Sequence, residues 1–131
     1  TAINFTDSLY GHSCGDSAGY GAVYTRSDGA DGWGRYFVSS AGSTKFYTVV
    51  PDHKSSSQRV YTGGNVSVSG TAKNFLYSTN KGVNWLAGGV VGADASVPVL
   101  SMAIDASTGS SYATTLYAGL GTGSGVRKSA R

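Results

Sequence analysis

Phe46-Tyr47-Thr48-Val49-Val50-Pro51-Asp52 and Val99-Leu100-Ser101-Met102-Ala103-Ile104-Asp105 are the same kind of segment, an apolar run closed by an aspartate, and 53 positions separate the two aspartates. Ala2-Ile3-Asn4-Phe5-Thr6-Asp7 is a third version. Each is followed by a short run with a tyrosine in its middle: Ser8-Leu9-Tyr10-Gly11, Arg59-Val60-Tyr61-Thr62-Gly63 and Thr115-Leu116-Tyr117-Ala118-Gly119. A third run comes after a glycine-rich loop, as Ala22-Val23-Tyr24-Thr25, Phe75-Leu76-Tyr77-Ser78 and Gly125-Val126-Arg127-Lys128-Ser129. Two copies then turn and reach a tryptophan, Trp33 and Trp85, 52 positions apart, while the third stops at Arg131 before its turn is complete.

An internal period of this size decides architecture before any single residue does. It divides one all-β region into units 1–45, 46–98 and 99–131, the last incomplete. Each unit is a small antiparallel meander whose alternating apolar residues leave faces it cannot bury alone, so the units must stack. About four strands per unit predicts sheets resembling β-propeller blades. A compact β-sandwich is the alternative fold.

Composition agrees. Glycine and serine each number 20 and tyrosine 9, a mixture that favours short strands and turns. All seven acidic residues are aspartate, and the absence of glutamate argues against exposed helices. Charged residues make up only 13% of the chain and the net charge is +3, so no basic surface for nucleic acid is expected. Arg127, Lys128 and Arg131 form too short a cluster to track a phosphate backbone. No apolar run is long enough to span a bilayer as a helix. The composition suggests an extracellular or cell-surface protein whose signal peptide has been removed.

Ser78-Thr79-Asn80-Lys81-Gly82-Val83-Asn84-Trp85 resembles the Asp-box, S-x-D-x-G-x-T-W, of the bacterial-neuraminidase-type repeats in sialidases, sortilin-like receptors and xyloglucan-hydrolysing endoglucanases. Asn80 stands for the usual Asp and Asn84 for the usual Thr. Thr25-Arg26-Ser27-Asp28-Gly29 is similar to a degenerate first copy with one extra residue before Trp33. The resemblance implies that Ser78, Asn80, Gly82 and Trp85 build a hairpin turn, with short polar side chains bonding the turn backbone and the indole packed beneath.

Several segments invite a catalytic reading. Gly15-Asp16-Ser17-Ala18-Gly19 matches G-x-S-x-G, but that elbow needs a strand before the serine and a helix after it, and Tyr20-Gly21-Ala22-Val23-Tyr24 reads as a strand. Asp52 and His53 follow in serine-hydrolase order, yet neighbours in a strand diverge. His12 and Cys14 are too few for a zinc site, and Cys14 is expected as a free loop thiol. Asp28-Gly29-Ala30-Asp31-Gly32 lacks the oxygen ligands of a calcium loop. Asp28 also lies in a segment similar to an early catalytic-aspartate stretch of the xyloglucan-hydrolysing enzymes, so a fragment of a glycoside hydrolase is the enzymatic alternative. The sequence names no acid–base pair, metal or cofactor, and the expectation is a protein that is not an enzyme.

Two functions remain. One is a recognition module binding glycan or a surface protein through Tyr20, Trp33, Tyr36 and Tyr112. The other is a structural subunit of an extracellular fibre or pilus-like filament. An unfinished third unit predicts a homo-oligomer or an obligate partner chain. Its contacts are expected along the edge strand at Gly125, Val126 and Ser129 and at the opposite face around Ala2, Ile3 and Phe5.

Overall fold

The computed structural model describes residues 2–5, 10–26, 32–54 and 57–130, with Phe5, Ser129 and Ala130 placed by their backbone alone. The fold is all-β. Among the described residues eleven strands follow in order: β1 (Ala2–Phe5), β2 (Gly11–Ser17), β3 (Tyr20–Arg26), β4 (Gly34–Gly42), β5 (Lys45–Pro51), β6 (Val60–Val68), β7 (Thr71–Ser78), β8 (Leu86–Ala87), β9 (Val99–Asp105), β10 (Thr115–Leu120) and β11 (Val126–Ala130). They form three meanders in which chain neighbours pair antiparallel: β1 to β4, β5 to β8, and β9 to β11.

Turn chemistry sets these registers. Ala18-Gly19 and Ser69-Gly70 have φ of 51° and 83°, and of 50° and 79°, so both loops are two-residue turns with positive φ at each central residue. Such turns match the twist of the strands they join. The regions expected as glycine-rich loops in the first two units are therefore strands running up to a tight hairpin.

The second sheet sits between the other two. Cys14 and Val23 of the first sheet meet Phe46, Val49, Val60, Val66 and Leu76 of the second, with Ala2, Phe37 and Trp85 at the margin. On its other face Tyr61 and Phe75 meet Val99, Met102, Leu116 and Ala118 of the third sheet. Strand β5 lies beside both β1 and β9, so the first strands of successive sheets run next to one another.

Strand alternation shows how the units correspond. Tyr77 packs toward the third sheet. Thr25 points toward the second sheet, where its Oγ1 donates to the Gly82 carbonyl at 3.1 Å. Matching Thr25 with Ser78 would turn it to the opposite face, because a shift of one residue inverts a strand. Thr25 instead takes the place of Tyr77, at the 52-position spacing that also separates Trp33 from Trp85. The extra residue expected before Trp33 is not needed. In this register each sheet turns the same face to its successor, as propeller blades do.

Candidate functional site: a cleft between the second and third sheets

On the face of the second sheet that meets the third, Tyr61 of β6 and Phe75 and Tyr77 of β7 lie side by side. Ring centroids are 6.0 Å apart for Tyr61 and Phe75 and 6.4 Å for Phe75 and Tyr77, with interplanar angles of 18° and 21°. The three rings tile one wall of a cavity of about 170 Å³, opposite Ile104, Thr115 and Leu116.

Two buried polar side chains hold the remaining walls. Asn74 donates through Nδ2 to the carbonyls of Val91 at 2.8 Å and Val97 at 3.0 Å, and its Oδ1 accepts from Val91 N–H at 3.0 Å. One fully buried amide thus fastens the segment that follows β8 over the cleft. Asp52, also fully buried, accepts the Ala113 N–H at 2.6 Å on Oδ2 and the Lys54 N–H at 3.1 Å on Oδ1. It ties the loop between β9 and β10 to the second sheet. Thr108 Oγ1 accepts from Thr114 and Thr115 N–H at 3.1 Å and 3.0 Å, and Lys54 Nζ reaches the Gly109 carbonyl at 2.9 Å. At the mouth the Arg59 guanidinium lies 3.8 Å from the centre of the Tyr112 ring, a cation–π pair.

None of the lining residues is an acid, a histidine or a cysteine. The cleft offers shape, apolar surface and flat rings.

Of the four expected ligand contacts, only Tyr112 lines the cleft. Tyr20 is exposed beside the first hairpin, with its ring against Gly42. Tyr36 folds its ring over Gly34, next to the exposed Trp33. Tyr20 pairs with Gly42, and Tyr36 lies six positions along β4 from that end, about 20 Å of strand. The structure does not gather the four. Tyr61, Phe75 and Tyr77 were not expected as contacts. The recurring tyrosine of the second run and the Phe-x-Tyr alternation of the third were the available signals.

The turn after β7 is bonded throughout. Ser78 Oγ donates to Asn80 Oδ1 at 2.9 Å and accepts from the N–H groups of Asn80 at 3.2 Å and Gly82 at 2.9 Å. Asn80 Oδ1 also accepts from Asn84 N–H at 2.8 Å. Gly82 has φ of 84°, and a Cβ there would lie 2.7 Å from Thr25 Oγ1 and 2.9 Å from His12 Nδ1. The turn is therefore seated on the first sheet. Trp85 packs against the first core with its Nε1 buried and without a partner among the described residues.

Ser17 ends a strand, and a strand follows it across the Ala18-Gly19 turn. Its Oγ accepts from Arg35 Nη1 at 3.3 Å. Asp52 is buried while His53 is exposed. Cys14 is not a loop thiol: it lies in the middle of β2, 1% exposed, and burial pushes its pKa above the ordinary thiol value. Asp28 and Asp31 lie outside the described residues. Among the described residues no three His, Cys or Asp side chains are grouped to hold a metal.

At the expected assembly edge, β11 pairs with β10, and Gly125 precedes the strand with φ of 74°. Val126 is 69% exposed and Ile3 62%. Ala2 differs from expectation: it packs against the first core instead of outward. It stands opposite Cys14, one residue out of phase with Ile3. Ser129 and Phe5 lie on β11 and β1.

No protein family, no curated protein and no solved structure matches the chain. The fold defines an all-β protein of repeated four- and three-stranded antiparallel sheets.

Proposed function

We propose that the chain is a non-catalytic β-repeat module, extracellular or at a cell surface, that recognises glycan through the cleft between its second and third sheets. The observation that carries this reading is the row of rings Tyr61, Phe75 and Tyr77, with Tyr112 and Arg59 at the mouth. Flat aromatic faces in an apolar recess suit the C–H face of a sugar ring, and the Arg59 guanidinium beside Tyr112 offers polar groups. The bonding of Ser78, Asn80 and Gly82 supports the likeness to an Asp-box turn, a folding element that leaves recognition to other surfaces.

Titration of the labelled protein with neutral mono- and oligosaccharides tests the reading. Resonance shifts clustered on residues 61, 75, 77 and 112, weakened about tenfold or more by Tyr77→Ala, are expected. Shifts confined to the first sheet, or no binding across the panel, would count against it.

A second reading, a structural subunit that assembles with copies of itself, is favoured by the exposed apolar residues on the outer faces of the first and third sheets.

A further inference from the structure

Among the described residues, each end sheet is covered on one face only. The open face of the third sheet carries Leu100 at 44% exposure, Ala103, Tyr117 at 37% and Val126. The open face of the first carries Ile3, Tyr24 and Val38. These faces are not equivalent. Tyr117 corresponds in the repeat to Tyr61, which faces the following sheet. The open face of the first sheet is the one turned from its successor. The chain thus exposes the two halves of a joint that it makes twice internally.

Asp105 carries the same implication. Asp52 Oδ1 accepts the N–H of the residue two ahead, and Oδ2 accepts a backbone N–H from the next sheet. Asp105 closes the equivalent strand, and its Oδ1 accepts the Ser107 N–H at 3.0 Å. Its Oδ2 makes no hydrogen bond to any described residue, leaving the acceptor that reaches the next sheet in the second unit unused in the third.

We infer that a second copy of this chain covers both open faces, the third sheet of each copy packing on the first sheet of the other, so that six sheets close into a ring. The inference rests on the structural-subunit reading and replaces pairing along an edge strand with pairing of faces. It continues the internal joints, and six sheets fall within the four to eight over which such stacks close. A head-to-tail contact that closes at two copies gives a discrete dimer, whereas one that fails to close gives a filament.

Sedimentation of the 131-residue chain at tens of micromolar, with circular dichroism as a check on folding, tests this. The expected species is a dimer. Tyr117→Asp and Ile3→Asp, both on exposed side chains, should each raise the dimer dissociation constant about 30-fold or more. Mixing the two variants should restore a dimer through one joint, where the unsubstituted third sheet of one copy meets the unsubstituted first sheet of the other, while the second joint carries both substitutions. Ser110→Asp, in the exposed loop between β9 and β10, should change nothing. A wild-type monomer overturns both the inference and the subunit reading. Assembly that survives both face variants but is lost on Val126→Pro overturns face pairing and leaves edge pairing standing. Loss on Tyr117→Asp alone overturns the head-to-tail arrangement, and filaments in negative stain overturn the closed ring.

Discussion

The joint between the first and second sheets and the joint between the second and third use one sheet's two faces in different ways. The first is filled with aliphatic and small side chains, with Phe37 set edge-on to Phe46 at 5.8 Å and 74°. It is crossed by short polar links, among them Thr25 Oγ1 to the Gly82 carbonyl. The second is built from large flat rings that do not close over one another and leave the cleft. Small β-branched residues interdigitate without gaps, whereas aromatic rows present planes that need a matching plane. The same repeat thus gives a first joint whose described core side chains are buried and a second that keeps a cleft.

The largest test of this contrast is Phe46→Ala. Phe46 is fully buried, and its loss should cost about 3–5 kcal/mol in urea unfolding. Phe75→Ala should cost at least about 1 kcal/mol less, because one side of that ring already borders a cavity. Equal losses would show that the cleft is closed in solution. Asp52→Ala comes next. It leaves the Ala113 and Lys54 N–H groups without their carboxylate and should cost about 2–3 kcal/mol, with methyl resonances at the second joint shifting more than those at the first.

Gly82→Ala sharpens the view of the first joint. Positive φ and the approach of Thr25 and His12 should together cost about 1–3 kcal/mol, and the same change at Gly70, where an added Cβ meets nothing, should cost less. Cys14 is a probe of the same joint. Burial raises its pKa, so the folded protein at pH 9 should react with iodoacetamide far more slowly than the urea-unfolded chain; equal rates would place the thiol at the surface.

The smallest effect concerns Asp105. Hydrogen bonds from the Ser107 hydroxyl and N–H hold its pKa below the ordinary value of 3.8. A depressed carboxylate stabilises the fold above its unfolded pKa, and that contribution is lost as pH falls from about 4 through the folded value. Ser107→Ala should flatten the acid limb of the stability profile slightly, and an unchanged limb would contradict the role.

Much of the fold could be read from the aspartate-ended runs, the recurring tyrosine and the paired tryptophans. Those features record local alternation and turn chemistry. The facing of the strands was not legible, because alternation fixes which residues share a face but not which neighbour that face meets. This is why Thr25 aligned with Ser78 by sequence and with Tyr77 in space. Cys14 was misplaced for a related reason: Gly11 interrupts the run Leu9-Tyr10-Gly11-His12-Ser13-Cys14 in the sequence, whereas in β2 small residues let β5 approach closely. The cleft was hidden because Tyr61 and Phe75 meet Ile104 and Leu116 only after distant units stack.

Asp52 also bears on how the stack comes apart. Arrays of stacked units ordinarily fray from their ends, one unit at a time. The Ala113 N–H is held by a carboxylate of the preceding sheet, so its exchange with solvent requires the loop to part from that sheet. The Ala113 amide should therefore exchange on the timescale on which that loop parts from the second sheet, which makes it a sentinel for the second joint.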